Sequence, residues 1–167
     1  FHTLDWLFAS VKLPPMSAKV IHKILVPVEL VEEAPPEVDY AIDVAAQLGA
    51  ELILVAVIDT AAAASMIRRM QMKHDRSEGF NEMLVKEAKA VLQQFVDQAV
   101  EKGIKAWGHA TVSEEIEAQI LKEAIMQKVD LILVRSHGRS GLSRALLGST
   151  AGEILKAAPC PVLVARA

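Results

Sequence analysis

The sequence predicts an α/β fold in which a doubly wound, five-stranded parallel sheet carries helices on both faces. Continuous apolar runs, typical of strands buried on both faces, alternate along the chain with the 3.6-residue periodicity of amphipathic helices. Two of the helical patterns are followed by a residue that typically ends a helix, namely Gly49 or Pro159. Crossovers between parallel strands are right-handed, which makes the sheet doubly wound. Such sheets bind ligands at the carboxyl ends of their strands, and we expect the same here.

Each element is predicted from its own pattern. The predicted strands are 24–28, 52–58, 104–112, 131–134 and 162–164, and the predicted helices are 38–48, 80–102 and 149–158, with a further helix after Ser113. Ser113 is predicted to cap that helix, with Glu114 and Glu115 in its first turn, where the helix dipole favours acids. Residues 59–79 lack a periodicity, so we expect an irregular, mobile segment over the mouth of the pocket.

Length and charge exclude several classes of protein. A chain of 167 residues fits one domain, and a net charge of -3 gives no electrostatic support for binding nucleic acid. The single cysteine, Cys160, excludes an internal disulfide framework and a cysteine-based zinc cluster. No apolar run reaches the roughly 18 residues of a membrane-spanning helix. We therefore expect a cytoplasmic protein without a membrane span.

Residues 1–19 are predicted to be an N-terminal extension, with the domain occupying residues 20–167. Leu4, Leu7, Phe8 and Val11 follow the spacing of a short amphipathic helix. The segment is either a tag remnant or loose tail, or else a docking helix or the end of a preceding domain.

The segment from Arg135 to Thr150 carries the features of an anion site. Glycines and hydroxyl residues lead into a predicted helix, whose first N–H groups would belong to Gly148, Ser149 and Thr150. His137 and the arginines at positions 135, 139 and 144 add positive charge. Phosphate binding and an ordinary strand-to-helix connection both remain open on these grounds. The segment matches neither the P-loop nor the dinucleotide fingerprint.

Three motifs resemble the universal stress protein family. Gly138, nine further residues and then Gly148-Ser149 match its glycine signature; Pro159 to Val164 and Lys23 to Val28 look like its last and first strands. The resemblance implies strand order 3-2-1-4-5 and a homodimer through the last strand. It also implies ATP or another adenine nucleotide as the ligand of some members, with no metal beyond Mg²⁺ accompanying it.

The resemblance implies a set of nucleotide-binding positions and no catalytic or metal-ligating ones. They are Pro27, Val28, Glu29, Val57, Arg135, His137, Gly138, Arg139, Gly148, Ser149 and Thr150. Two of them depart from the family pattern, since Glu29 replaces an aspartate and Arg135 replaces a glycine. Arg135 either blocks the cleft or grips a phosphate, and it could also pair with Glu29.

Two functions from different classes follow. The first is a stress-response or signalling module that binds an adenine nucleotide through the loop from Gly138 to Ser149. The second is a ligand-free module with a closed pocket, which acts by dimerising or by regulating a protein partner. We expect no enzyme activity beyond an incidental, slow ATPase.

Overall fold

A computed structural model describes residues 20–30, 35–69, 77–136 and 149–166. The elements in these ranges are, in chain order, β1 (Lys23–Pro27), α1 (Pro36–Leu48), β2 (Glu51–Asp59), α2 (Thr60–Arg69), α3 (Ser77–Glu101), β3 (Ala106–Ser113), α4 (Ile116–Met126), β4 (Leu131–Ser136), α5 (Ser149–Ala157) and β5 (Val162–Arg166). The strands form one sheet in the order β3-β2-β1-β4-β5, and every pairing is parallel. The predicted fold class and strand order are confirmed. The predicted N-terminal extension lies outside the described residues.

Two hydrophobic cores cover the two faces of the sheet. Successive strand residues point to opposite faces, so Ile24 packs with α1 and α3 while Leu25 packs with α4 and α5. The first core also holds Leu52, Leu54, Ile42, Leu92 and Phe95, and the second holds Ile53, Ile132, Ile120, Ala124 and Ile154. Helices therefore lie on both faces, and the sheet is doubly wound.

The topological switch point lies between β1 and β4. These strands are neighbours in the sheet, but the chain leaves β1 for α1 on one face and leaves β4 for α5 on the other. Asp130 aligns their amino ends, because its carboxylate accepts N–H bonds from His22 and Lys23 at 2.8 and 3.0 Å. A crevice at the carboxyl ends of two such strands is the expected ligand site of an open α/β sheet.

The prediction that residues 59–79 are irregular was wrong for the part that the structure describes. β2 continues to Asp59, and α2 follows directly from Thr60 to Arg69. The Asp59 carboxylate accepts the N–H groups of Ala61 and Ala62 at 2.8 and 3.2 Å, as an N-cap residue does. The alanine run has no periodicity, but alanine has the highest helix propensity of any residue type. Residues 70–76 lie outside the described ranges.

The predicted start of the helix after β3 was also wrong. Ser113 is the last residue of β3 and pairs with Asp59 of β2, so α4 begins only at Ile116. The Ser113 hydroxyl accepts the N–H of Glu115 at 3.1 Å, but Glu115 itself stands at the N-cap position. Glu114 and Glu115 therefore precede the helix, and Glu117 is the acid of its first turn.

Candidate nucleotide site

A cavity of about 670 Å³ lies at the carboxyl edge of the sheet, beside the switch point. Its walls come from both helical layers and from the ends of three strands. The lining residues are Pro27, Val28, Glu29, Leu30, Glu37, Val55, Ala56, Val57, Ile58, Leu84, Glu87, Ala88, Val91, Ile116, Ile120, Val134, Arg135, Thr150, Ala151 and Ile154. Most of this described lining is hydrocarbon, and its charged members are three glutamates and one arginine.

The cavity brings together six of the positions named from the sequence. Pro27, Val28, Glu29, Val57, Arg135 and Thr150 all line it. Ser149 begins α5 and precedes Thr150 in the chain. His137, Gly138, Arg139 and Gly148 lie outside the described residues.

Arg135 forms an ion pair that the sequence analysis did not foresee. Its Nη1 lies 3.5 Å from Oε2 of Glu37, and the side chains are 21% and 3% exposed. Glu29 also lines the cavity, but the pair described for Arg135 joins β4 to α1. Arg135 thus has a carboxylate partner in the protein and still leaves a cavity beside it.

The helical pattern of α1 places Glu37 against the sheet. Pro36 stands at the start of the helix, where its missing N–H costs nothing, and Glu37 follows in the first turn. Glu37, Ala41 and Ala45 are spaced four residues apart and are all buried. A carboxylate on the apolar face of a helix was the available signal, and the sequence prediction began the helix one residue too late to use it.

Thr150 contacts a second glutamate at the start of α5. Its hydroxyl donates to Oε1 of Glu117 at 2.9 Å, in a half-buried position. Glu117 lies in the first turn of α4, so this bond joins the beginnings of two helices. N-terminal turns favour anions, and here a side chain of the protein supplies one.

The main chain of β2 faces the cavity at Val57. The N–H of Glu51 donates to the C=O of His22, and the C=O of Val55 accepts a hydrogen bond from the N–H of Val28, each at 2.8 Å. Main-chain groups alternate sides along a strand, so the N–H and C=O of Val57 point to the same side as those of Val55. This direction is toward β1, beyond the end of its described pairing with β2 at Val55.

The sequence analysis missed the contribution of α3. Leu84, Ala88 and Val91 follow the helical spacing that was used to predict a core face, and they line the cavity together with Glu87. The pattern identified the inward face correctly, but could not show that part of this face borders a cavity.

Within residues 20–30, 35–69, 77–136 and 149–166, no group of three or more His, Cys, Asp or Glu side chains could hold a metal ion. In those ranges no helix is both long enough and apolar enough to cross a membrane.

The family comparison covers almost all of the domain. The model of the universal stress protein family matches residues 21–166. Universal stress protein MJ0531 of Methanocaldococcus jannaschii is 30% identical over 145 residues, which are 86% of this chain and 81% of the relative. Universal stress protein YxiE of Bacillus subtilis is 30% identical over 152 residues, 88% of this chain and 100% of the relative. The chain therefore belongs to the universal stress protein family.

Solved structures share the fold. The hypothetical protein MJ0577 superposes with a TM-score of 0.69 at 26% identity, over 89% of this chain and 97% of its own. A universal stress protein solved in complex with cAMP has a TM-score of 0.59 at 20% identity, covering 87% and 97%. The protein from Archaeoglobus fulgidus solved with dAMP has a TM-score of 0.57 at 18% identity, covering 87% and 98%.

Proposed function

We propose that this universal stress protein domain binds an adenine nucleotide in the cavity beside β1 and β4. The observation that carries the proposal is the apolar cavity with the main chain of Val57 directed toward it. An adenine ring would pack against the aliphatic lining, and its amino group and ring nitrogen would bond to the C=O and N–H of Val57. Binding would then serve stress-response signalling.

The size of the cavity and the location of α5 support the same ligand. A volume of about 670 Å³ is in the usual range for small-molecule sites. The phosphate would lie toward the start of α5, where we propose contacts from His137, Gly138, Arg139, Gly148, Ser149 and Thr150. The cAMP and dAMP complexes of two structural neighbours identify adenine nucleotides as the compounds to test first.

A cavity-filling substitution tests the binding site. Ala88 lines the cavity and is 4% exposed, whereas Ala90 is exposed on the same helix. Ala88→Leu adds three carbon atoms to the space for the ligand, so nucleotide affinity should fall by about tenfold or more. Ala90→Leu makes the same change on the surface and should bind as the unmodified protein does.

Titration calorimetry with adenosine, AMP and ATP gives the readout, together with mass spectrometry of protein purified without added nucleotide. The melting temperature of each variant shows whether it is folded. Equal affinities for Ala88→Leu and Ala90→Leu would place the ligand elsewhere, and failure of every compound to bind would refute the proposal.

We infer that the domain binds the nucleotide without catalysing its hydrolysis. The described lining is mostly hydrocarbon, and its one guanidinium, on Arg135, is paired with Glu37. Release of inorganic phosphate from ATP should stay within a few-fold of the buffer background. Any Mg²⁺ at the site would arrive with the nucleotide.

A second candidate function is favoured by the Glu37–Arg135 pair. The guanidinium that could meet a phosphate is already held by a buried carboxylate, as expected if the domain acts through protein contacts alone. The volume of the cavity favours nucleotide binding over this ligand-free alternative. Absence of bound nucleotide and of measurable affinity would reverse the order.

We also propose that two copies associate through β5, and that the domain works in the cytoplasm. β5 is an edge strand, with partly buried apolar side chains on both faces. An edge of this kind offers main-chain groups to a second strand.

A further inference from the structure

We propose that Glu117 acts as a charge filter that makes this site select adenine ligands with few phosphates, so that AMP binds more tightly than ATP. This inference rests on the proposed nucleotide binding and names the ligand class within it. It is carried by the bond between the Glu117 carboxylate and the Thr150 hydroxyl at the start of α5.

The location of Glu117 sets it against a phosphate chain. Thr150 lines the cavity, and the first turn of α5 is where a phosphate would be held. The carboxylate accepts a hydrogen bond from the Thr150 hydroxyl at 2.9 Å. A bound phosphate oxygen would otherwise accept this hydrogen bond. A phosphate group must therefore displace Glu117 or lie beside its negative charge.

Other charges in the described lining act in the same direction. Glu29, Glu37 and Glu87 line the cavity, against the single guanidinium of Arg135. That guanidinium lies 3.5 Å from Glu37, which offsets much of its attraction for an anion. Negative charges therefore outnumber positive ones among the described side chains of the lining.

Adenosine and its phosphates should respond differently to loss of this charge. Adenosine has no charge near Glu117, AMP has one phosphate, and the chain of ATP carries two more phosphate groups past the same carboxylate. Repulsion between charges several ångströms apart in a half-exposed site corresponds to about a tenfold change in affinity. Glu117 should therefore lower the affinity for ATP most, for AMP less and for adenosine hardly at all.

The test measures dissociation constants for adenosine, AMP and ATP in buffer that contains EDTA, so that no cation neutralises the phosphates. Glu117→Gln keeps the shape and an oxygen acceptor for Thr150 but removes the charge. Glu114→Gln removes the same charge from an exposed position three residues earlier and is the matched control. Glu117→Ala, with melting temperatures for all variants, guards against a local effect of the amide.

The unmodified protein and Glu114→Gln should bind AMP more tightly than ATP. Both Glu117 variants should improve ATP binding relative to AMP by about tenfold, with adenosine affinity unchanged. An ATP-to-AMP ratio that is the same in Glu117→Gln as in Glu114→Gln would overturn the inference, as would tighter binding of ATP than of AMP by the unmodified protein. If neither adenosine nor AMP binds to any variant, the proposed function itself fails.

Discussion

The Glu37–Arg135 ion pair connects the first turn of α1 to the end of β4, one of the two strands of the switch point. Glu37 is almost fully buried, so its charge depends on partners inside the protein. Burying a charge is costly, and the cost becomes visible when one member of a pair is removed. A substitution in this pair should therefore change the stability of the domain as well as the charge of the site.

Replacing Arg135 by Gln should destabilise the domain, because it removes the cation that lies 3.5 Å from the buried Glu37 carboxylate. We expect the free energy of unfolding to fall by about 2–4 kcal/mol, measured by urea denaturation. The double variant Glu37→Gln with Arg135→Gln lacks both charges of the pair, and it should regain at least half of that loss. Additive losses in the two single variants would show that the pair contributes no coupling energy.

Cys160 provides a residue-scale prediction about reactivity. Burial raises the pKa of its thiol above the ordinary value of 9.0, the nearby charge of Asp130 raises it further, and a main-chain hydrogen bond at Ile132 lowers it by less. Alkylation by iodoacetamide at pH 8 should thus be slower in the folded protein than in the same protein in denaturant, since only the thiolate reacts. Because the pKa is raised on folding, Cys160 should also make the protein less stable as the pH rises through 9.

The controls for Cys160 lie within the protein. It is the single cysteine of the chain, so the rate of modification reports on it alone. In Cys160→Ser, the extra loss of stability above pH 9 should disappear. Alkylation as fast in the folded as in the unfolded chain would contradict the predicted shift.

Single residues show where prediction from sequence reaches its limit. Arg135 was recognised as an unusual side chain at the site, but its partner Glu37 is 98 positions earlier and was left outside the predicted helix. Glu117 was not singled out in the sequence, and its contact with Thr150 depends on how α4 packs beside α5. Periodicity describes one element at a time, whereas these pairs depend on how two elements pack.

At the scale of elements, α2 depends on Asp59 at its first turn. The carboxylate accepts two N–H groups that the helix cannot satisfy itself. Asp59→Ala should therefore expose those amides, and their hydrogen exchange should become about fivefold faster, in line with a loss of about 1 kcal/mol for an N-cap. Asp59→Asn keeps an acceptor oxygen and should retain most of the protection.

Exchange at Ala61 and Ala62 that is unaffected by Asp59→Ala would refute the capping role. The same experiment tests whether residues 60–69 are mobile, as expected from the sequence. α2 has a small core of Ala63 packed on Phe80 and Leu84 of α3, so its protection should lie below that of β1 and β2. Protection equal to that of the central strands would contradict both the expected mobility and the weak packing.

At the scale of the molecule, the fold was predictable because its signals are long and repeated. Four apolar runs and one alternating segment, 104–112, are interspersed with helical patterns, and the family resemblance supplied the strand order that periodicity alone leaves open. The cavity was predictable in location, since the switch point follows from topology. Its acidic character was not, because Glu37 and Glu87 belong to helices that look ordinary in sequence.

The remaining prediction concerns the free edge of β5 and the homodimer proposed to form there. The N–H of Ile132 in β4 donates to the C=O of Pro161, so the main-chain groups of Leu163 also face β4 while those of Val162 and Val164 face outward. Val164→Pro removes an outward N–H and leaves the bonds to β4 in place. We expect light scattering to give the mass of a dimer for the unmodified protein at micromolar concentration, and of a monomer for Val164→Pro.

Leu163→Pro is the matched control, because it removes an N–H that faces β4 and should lower the melting temperature. The melting temperature of Val164→Pro should be close to that of the unmodified protein diluted until it is monomeric, since proline is tolerated at outward positions of edge strands. The comparison separates loss of association from loss of folding, which a single disruptive variant would confuse. A monomeric unmodified protein, or a Val164→Pro variant that stays dimeric, would show that β5 does not mediate association through its main chain.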